Sequence, residues 1–554
     1  MKNNNKAWSP RPEKAVEKKV IYDTKKQTNT TSKVGFMNAV EKTINSVYNL
    51  TYTENGALAH GTSGHKLLDM NFAVSSLRGK NDKEIYTMFR EAFKDDPKYA
   101  IKFLFYARDV REGLGERNLF RVCIRDLINN GQKQLVEALI PVMAEYGRWD
   151  DVVVLIDTVC KNAALAEIKK QWNKDIRGIK DEKPISLLAK WMPSEQASNV
   201  EVVHRASVVQ KYLKMTPRVY RKNLSAMRKY IDVVERKMSS NNWQAIDYES
   251  VPSKANLIYN KAFLRHDEDR RSAYLNALTK GEAKINASVA YPHEIAHKYT
   301  SSRGWYGLRV SSQVDPAIEA MWKALPNLVK DNSSTIVVAD GSGSMTSQIS
   351  GTNISALEVA NALAIYFAER CTGEFKNTYI TFSEKPQVVH LDGDSLLENL
   401  RIAFKHNEVA NTNIEATFDL LLNTAIRNHM KQEDIPSNVL VLSDMQFDAM
   451  SCCNGTYRGG CNKALFDAMS ERWERAGYHM PKLIFWNLMS RSSNSTIPMV
   501  ENDAGVILVS GFSVNILKTV MSNKTDPYEA LLETLDAPRY DAIEKIVNKT
   551  WNIA

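Results

Sequence analysis

The stretch Thr335–Met345, which reads TIVVADGSGSM, constrains the fold of this 554-residue chain more than any other segment. Its first five residues are almost wholly apolar and β-branched, which is typical of a strand buried on both faces of a parallel sheet. Two glycines then allow a tight turn, and Asp340, Ser342 and Ser344 offer one carboxylate and two hydroxyls to a common point. Such hard oxygen ligands suit a Mg²⁺-like cation that keeps room for an outside ligand.

Two later stretches place further polar side chains at the same edge of the predicted sheet. Thr412 lies at a loop-to-helix junction, directly before the helical run 414–426. A second buried-strand run, 438–444, ends in the carboxylate of Asp444. The loops after parallel strands converge at the carboxyl edge of a doubly wound sheet, where ligands bind. The alternative is a domain that keeps this loop geometry without a metal, with the polar side chains capping helices.

This order of strand, Asp-x-Ser-x-Ser loop, loop threonine, strand and aspartate resembles the metal-ion-dependent adhesion site of von Willebrand factor A domains. The resemblance covers residues 331–520. It departs from the family at Ala410-Asn411, where two glycines are usual before the threonine. It implies a doubly wound, Rossmann-like α/β domain that binds Mg²⁺ or another divalent cation through five side chains. They are Asp340, Ser342, Ser344, Thr412 and Asp444.

Charge divides the chain into two unlike halves. Residues 1–330 carry a net charge of +18, whereas residues 331–554 carry −9. A basic front half predicts a polyanion partner such as RNA, and an ordinary solvated lysine-rich surface is the alternative. No apolar run reaches the roughly 18 residues of a membrane helix, so we expect no membrane partner. Six cysteines in so long a chain do not form a disulfide framework, so we expect the reducing environment of the cytoplasm.

The pattern along the chain predicts four segments. Residues 1–34 are polar and are expected to form a disordered or extended arm. Residues 35–330 show helix after helix with frequent breakers, which predicts an α-helical, HEAT-like solenoid or ring. Residues 331–520 alternate strands and helices in the α/β manner. Residues 521–554 form a C-terminal helical segment.

Two motifs in the helical half carry a second resemblance. Residues 106–117 read YARDVREGLGER, and residues 146–151 read YGRWDD. Together with the C-terminal von Willebrand A-like domain, they resemble the Ro autoantigen (TROVE) proteins and a related uncharacterised family of bacteria, phages and plants. The resemblance implies a helical ring closed by the α/β domain. It further implies a non-enzymatic ribonucleoprotein that binds small structured non-coding RNAs and single-stranded RNA ends.

The stretch 211–237 is the strongest electrostatic candidate for RNA contact. Basic side chains that can neutralise phosphates alternate there with Tyr212, Tyr220 and Tyr230, whose rings can stack on unpaired bases. The basic candidates are Lys211, Lys214, Arg218, Arg221, Lys222, Arg228 and Lys229. A solvated basic helix is the alternative. Arg111 and Arg117 of the YARDVREGLGER motif are further candidates, although mixed charge in one motif favours internal ion pairs.

Two other patterns have competing interpretations. His293-Glu294-Ile-Ala-His297 is a formal HExxH motif, but Pro292 predicts that a helix starts there and leaves the motif unsupported. Cys452, Cys453 and Cys461 lack the spacing of a zinc site. We therefore interpret the chain as an RNA-binding protein whose metal site takes a carboxylate of a protein or of a neighbouring subunit. A metal-dependent adhesion scaffold without RNA is the alternative, and a zinc hydrolase through the HExxH residues is a minor one.

Overall fold

The computed structural model describes most of the chain from Asn49 onward, and this part forms one compact unit. The described ranges are 49–302, 308–329, 334–382, 385–407, 413–448, 464–489, 496–520 and 522–552. The predicted arm 1–34, the predicted ligand Thr412 and the cysteines Cys452, Cys453 and Cys461 lie outside them.

The first part of the described chain is a succession of helices, as the sequence predicts. They are α1 (Lys66–Phe72), α2 (Val74–Leu77), α3 (Asp82–Asp95), α4 (Pro97–Arg108), α5 (Arg117–Asn129), α6 (Lys133–Tyr146), α7 (Trp149–Val153), α8 (Lys161–Lys180), α9 (Leu188–Trp191), α10 (Val200–Leu213), α11 (Pro217–Tyr230), α12 (Val234–Ser239), α13 (Ser253–His266), α14 (Glu268–Lys280), α15 (Pro292–Ala296) and α16 (Pro316–Lys323).

Local sequence signals set several of these helix starts. Asn81 and Glu84 form a reciprocal capping box at the start of α3. Asp96 caps α4 with Pro97 in its first turn, and Thr216 caps α11 with Pro217 in the same place. These caps satisfy backbone N–H groups that have no partner inside the helix.

Two short hairpins that the sequence did not predict accompany the helices, one before α1 and one between α15 and α16. They consist of β1 (Leu50–Tyr52) with β2 (Leu58–His60), and of β3 (Thr300–Ser302) with β4 (Leu308–Val310). Both pairs are antiparallel. Strands of three residues are too short to show the alternation by which strands are recognised. The predicted helical character of this region is confirmed, and the two short hairpins are additions to it.

The second part of the described chain is a six-stranded α/β sheet. Its elements are β5 (Thr335–Asp340), α17 (Ala356–Arg370), β6 (Thr378–Phe382), β7 (Gln387–His390), α18 (Leu396–Lys405), α19 (Ile414–Arg427), β8 (Asn438–Ser443), α20 (Leu465–Arg475), β9 (Lys482–Asn487) and β10 (Val506–Ser510). The strand order is β10-β9-β8-β5-β6-β7, and β7 alone pairs antiparallel within this described sheet. The predicted doubly wound domain is thus confirmed, and β5 and β8 lie side by side at its centre.

Helix α17 shows how the two parts of the chain are joined. Its sequence is apolar on nearly every face, which is typical of a helix buried on all sides. It packs against β5 and β8 of the sheet, and it also contacts α15 near the end of the helical part. The helical part and the sheet therefore share one hydrophobic core.

The last two described ranges contain three α-helices that pack beside the sheet or on the first described helices. They are α21 (Leu517–Val520), α22 (Pro527–Leu535) and α23 (Asp541–Trp551). Helix α23 packs on α4 and α6, and the buried Lys102 of α4 pairs with Asp536 at 2.5 Å and Glu544 at 2.8 Å. Within the described ranges, the helices are all too short or too polar to cross a membrane.

Candidate functional site

The predicted metal ligands Asp340, Ser342, Ser344 and Asp444 follow two strands that are neighbours in the sheet. Asp340 Oδ1 accepts the N–H of Ser342 at 2.9 Å, and Ser342 Oγ lies 2.9 Å from Ser344 Oγ. Ser443 Oγ donates to Asp340 Oδ2 over 2.6 Å, which joins the end of β8 to the first loop. The structure therefore brings the first and third predicted loops together.

Both carboxylates of this site are buried. Asp340 is 1% exposed and Asp444 is 0% exposed. Burial and the neighbouring Asp444 carboxylate raise the pKa of Asp340 to about 7, because burial and a like charge both disfavour the ionised form. A divalent cation would offset both effects, and carboxylates with hydroxyls are ligands that Mg²⁺ accepts. The donor chemistry of the described residues fits the predicted cation.

A turn from the first hairpin holds the loop that follows Asp444. Thr53 Oγ1 donates to the carbonyl of Phe447 over 2.6 Å, and the Glu54 N–H donates to Gln446 Oε1 over 2.7 Å. Asn55 Nδ2 donates to the carbonyl of Gln446 over 2.6 Å. The turn residues belong to the segment Thr53-Glu-Asn-Gly56, about 390 positions away in the chain. We call this segment the hairpin turn.

The hairpin turn supports an unfavourable backbone conformation directly after Asp444. Met445, next to Asp444, has a φ of 64°, which lies in the left-handed region that non-glycine residues rarely adopt. Its side chain is 1% exposed. Such a conformation persists only where the surrounding structure fixes it. The hydrogen bonds of the hairpin turn fix the two residues that follow.

The predicted basic stretch covers the end of α10, all of α11 and the start of α12. Six of its seven basic candidates are exposed, and Arg228 is half-buried. Arg221 Nε lies 3.4 Å from Glu195 Oε1. Five others form no ion pair with any residue in the described ranges. They are Lys211, Lys214, Arg218, Lys222 and Lys229.

Two residues of this stretch have structural partners that the sequence did not indicate. Arg228 donates to the carbonyls of Ala189 at 2.8 Å and Met192 at 3.1 Å, so it holds the end of α9. Tyr220 is buried, stacks on Trp172 at 5.4 Å and donates to the Pro193 carbonyl. The expectation that Tyr220 offers a stacking face is therefore wrong. Tyr230 stays exposed, with its hydroxyl on the Lys183 carbonyl.

The YARDVREGLGER motif forms a network of ion pairs between elements. The buried Arg108 pairs with Asp151 of α7 at 2.7 Å, and Glu116 pairs with Arg78 at 2.6 Å. Asp109 binds Arg539, which precedes α23. Arg111 binds Glu145 at the end of α6.

Arg117, the last residue of the motif, differs from the others. It is exposed and has no ion pair with a residue that the structure describes. Partial burial of its guanidinium and, after that, repulsion from the neighbouring Arg148 and Arg121 lower the pKa of Arg117. The assignment of Arg111 and Arg117 to RNA contact stays a prediction.

The HExxH residues are held in structural roles. Helix α15 begins at Pro292 and has only five residues. His297 Nδ1 lies 2.7 Å from Glu358 Oε1, and Glu294 pairs with Lys254. The described residues include no group of three or more His, Cys, Asp or Glu side chains that could hold a metal. This arrangement does not favour the zinc hydrolase.

The described fold is that of a helical protein with a C-terminal α/β domain in which the loops of Asp340 and Asp444 meet. The chain belongs to the family defined by DUF2828, a domain of unknown function whose model matches residues 53–170 and 163–335. The model of a second domain of unknown function, DUF7788, matches residues 334–548. Membership of an uncharacterised family is thereby confirmed.

One relative and one solved structure place this membership in context. The chain is 30% identical over 526 residues to the uncharacterised protein L728 of Acanthamoeba polyphaga mimivirus, with 88% of this chain and 87% of the relative covered. The crystal structure of the Ro (RSR) protein of Deinococcus radiodurans is similar at 12% identity and a TM-score of 0.34. That match covers 80% of this chain and 92% of the Ro chain.

Proposed function

We propose that this protein binds RNA through its helical part and forms a ribonucleoprotein in the cytoplasm. The supporting observation is the row of exposed basic side chains on α10 and α11, of which five have no described carboxylate partner. An RNA backbone would supply the missing negative charge and release its own counterions. The expected ligands are small structured RNAs and RNAs with single-stranded ends, and the protein has no catalytic role.

We further propose that the metal loops recognise a partner and leave RNA binding to the helices. Asp340 and Asp444 lie in the part of the chain with a net charge of −9, which repels an RNA strand. A divalent cation held by the two carboxylates, with Ser342 and Ser344, keeps a coordination position for an outside oxygen. A carboxylate of a protein or of a second copy of this chain suits that position.

Binding of a labelled RNA hairpin with a single-stranded 3′ tail tests the first proposal. We expect fluorescence anisotropy to show binding at about 50 mM salt that weakens strongly by about 200 mM, since phosphate contacts dominate such complexes. Sequencing the RNA that co-purifies with the protein would identify its class. Absence of binding at low salt would contradict the RNA proposal and favour the metal-dependent scaffold, for which Mg²⁺-dependent capture of a protein partner is the test.

A further inference from the structure

A cavity lies between α9, α11 and α12, beside the basic face of α11. Its volume is about 590 Å³, within the range of small-ligand sites in proteins. Tyr220, Leu224 and Val233 supply apolar lining. Three of its lining residues, Tyr220, Arg221 and Arg228, are candidates from the predicted basic stretch.

The charged residues of the cavity wall are mostly basic. Lys190, Arg221, Arg228 and Arg236 outnumber Glu195 and Glu235 by four to two. The surplus positive charge suits a phosphate-bearing ligand, because each phosphate brings negative charge to the cavity. The cavity wall and the neighbouring face of α11 therefore both carry an excess of positive charge.

Each of the two glutamates has an ion-pair partner but also one buried carboxylate oxygen that accepts no hydrogen bond from a residue that the structure describes. These oxygens are Glu235 Oε2 and Glu195 Oε1. Lys190 Nζ lies 3.5 Å from the other oxygen of Glu235, and Arg221 Nε lies 3.4 Å from Glu195 Oε1. A buried acceptor without a donor costs free energy, which a ligand with N–H groups would recover.

Arg228 gives the cavity a fixed planar group. Its guanidinium is held by the carbonyls of Ala189 and Met192, so its position is set before any ligand binds. Guanidinium planes stack on the bases of single-stranded RNA. A fixed plane loses little side-chain entropy when a base stacks on it.

We propose that this cavity binds one unpaired guanine base of the bound RNA, and this inference rests on the proposed RNA-binding function. The Watson–Crick edge of guanine carries two adjacent N–H donors, which match the two oxygens of a carboxylate. Uracil offers one N–H between two carbonyl oxygens, and the carbonyls face a carboxylate unfavourably. Glu235 accepts from the base, Arg228 stacks on it, and Arg221 and Arg236 bind the flanking phosphates.

Equal-length RNA oligonucleotides that differ at one position test the proposal. The probes are a labelled uridine octamer and the same octamer with a single guanosine, inosine or adenosine at its centre. For the natural protein we expect about tenfold tighter binding of the guanosine octamer than of the uridine octamer. Inosine, which lacks the second donor, should fall between them, and adenosine should gain little.

The variant Glu235→Gln should bind all four octamers within about twofold of one another, because the amide replaces one acceptor oxygen with a donor. Its affinity for the uridine octamer should stay within about twofold of that of the natural protein. Glu268→Gln is the matched control, since Glu268 is exposed, lies outside the cavity and loses the same charge. It should retain the full guanosine preference.

The outcomes separate this proposal from the proposed function. Salt-dependent binding without a guanosine preference, or a preference that survives Glu235→Gln, overturns the cavity proposal and leaves RNA binding intact. If no octamer binds, the hairpin RNA with the 3′ tail tests the proposed function separately, and guanosine monophosphate becomes the probe for the cavity. Binding of this nucleotide that Glu235→Gln abolishes supports the cavity as a guanine site. Absence of nucleotide binding overturns it.

Discussion

Glu54 donates its main-chain N–H to the side-chain oxygen of Gln446 over 2.7 Å, and this bond connects the first hairpin to the loop that follows Asp444. Gln446 lies two positions after the predicted ligand Asp444. Asp444 Oδ1 in turn accepts the N–H of Gln446 at 3.2 Å. The position of Asp444 in the α/β domain therefore depends on residues that precede α1, the first helix in the described part of the chain.

Removing one bond of the hairpin turn should weaken metal binding without changing a ligand. Thr53→Val leaves the Phe447 carbonyl without its donor and the Ala57 N–H without its acceptor. We expect the free energy of unfolding to fall by about 1–2 kcal/mol. We also expect the Mn²⁺ affinity, measured by titration calorimetry, to fall about fivefold, or about 1 kcal/mol.

Thr424→Val is the matched control for this variant. The Thr424 hydroxyl bonds to the Leu420 carbonyl within α19, on an exposed face away from the metal loops. This change should leave the metal affinity unaltered. Equal metal affinity in the natural protein and Thr53→Val would show that the hairpin turn does not position the loop.

Asp340→Asn should abolish divalent metal binding and spare RNA binding. The substitution removes one of two buried carboxylates and keeps the shape of the side chain. In the absence of metal we expect no loss of thermal stability, because the repulsion from Asp444 disappears. RNA affinity should stay within about threefold of that of the natural protein, a change of about 0.7 kcal/mol. A tenfold loss of RNA affinity in the folded variant would show that the metal helps to hold RNA.

The sequence predicted the meeting of the Asp340 and Asp444 loops better than the contacts of the helical part, while the metal itself stays a prediction. Asp340 and Asp444 follow long apolar strands, and parallel strands bring their ends to one edge of a sheet. The partner of Asp109 is Arg539, 430 positions away, and no local pattern encodes such a pairing. The burial of Tyr220 and of the Glu235 carboxylate oxygen could not be predicted for the same reason. Burial in an irregular helical protein depends on which helices pack together.

The pair formed by Asp109 and Arg539 should contribute strongly to stability. The Asp109 side chain is fully buried, and Arg539 Nη2 donates to its Oδ1 over 2.9 Å. Arg539→Met leaves a buried carboxylate without its partner, and we expect the free energy of unfolding to fall by about 3–5 kcal/mol. Urea denaturation followed by circular dichroism measures this change.

Arg111→Met is the control for this prediction. Arg111 pairs with Glu145 where both side chains are more than half exposed. Exposed pairs contribute less than about 1 kcal/mol, so this variant should unfold near the midpoint of the natural protein. Equal destabilisation by the two variants would contradict the distinction between a buried and an exposed ion pair.

Arg228→Met should destabilise the region around α9. The change removes the donor to the Ala189 and Met192 carbonyls, and we expect a loss of about 1–3 kcal/mol. Lys222→Met, on the exposed face of the same helix, should change the free energy of unfolding by less than about 0.5 kcal/mol. If both variants unfold at the same urea concentration, Arg228 does not hold α9.

The salt dependence of RNA affinity tests the central claim most directly. If all five unpaired basic residues of α10 and α11 contact phosphates of a single strand, the logarithm of the binding constant should fall against that of the salt concentration with a slope of about −3.5. The double variant of Lys222→Gln and Lys229→Gln should reduce the slope by about 1.4. A control with Lys405→Gln and Lys545→Gln, two exposed lysines outside the helical part, should keep the slope of the natural protein. A slope near zero, or an equal reduction in both double variants, would contradict RNA binding by this face.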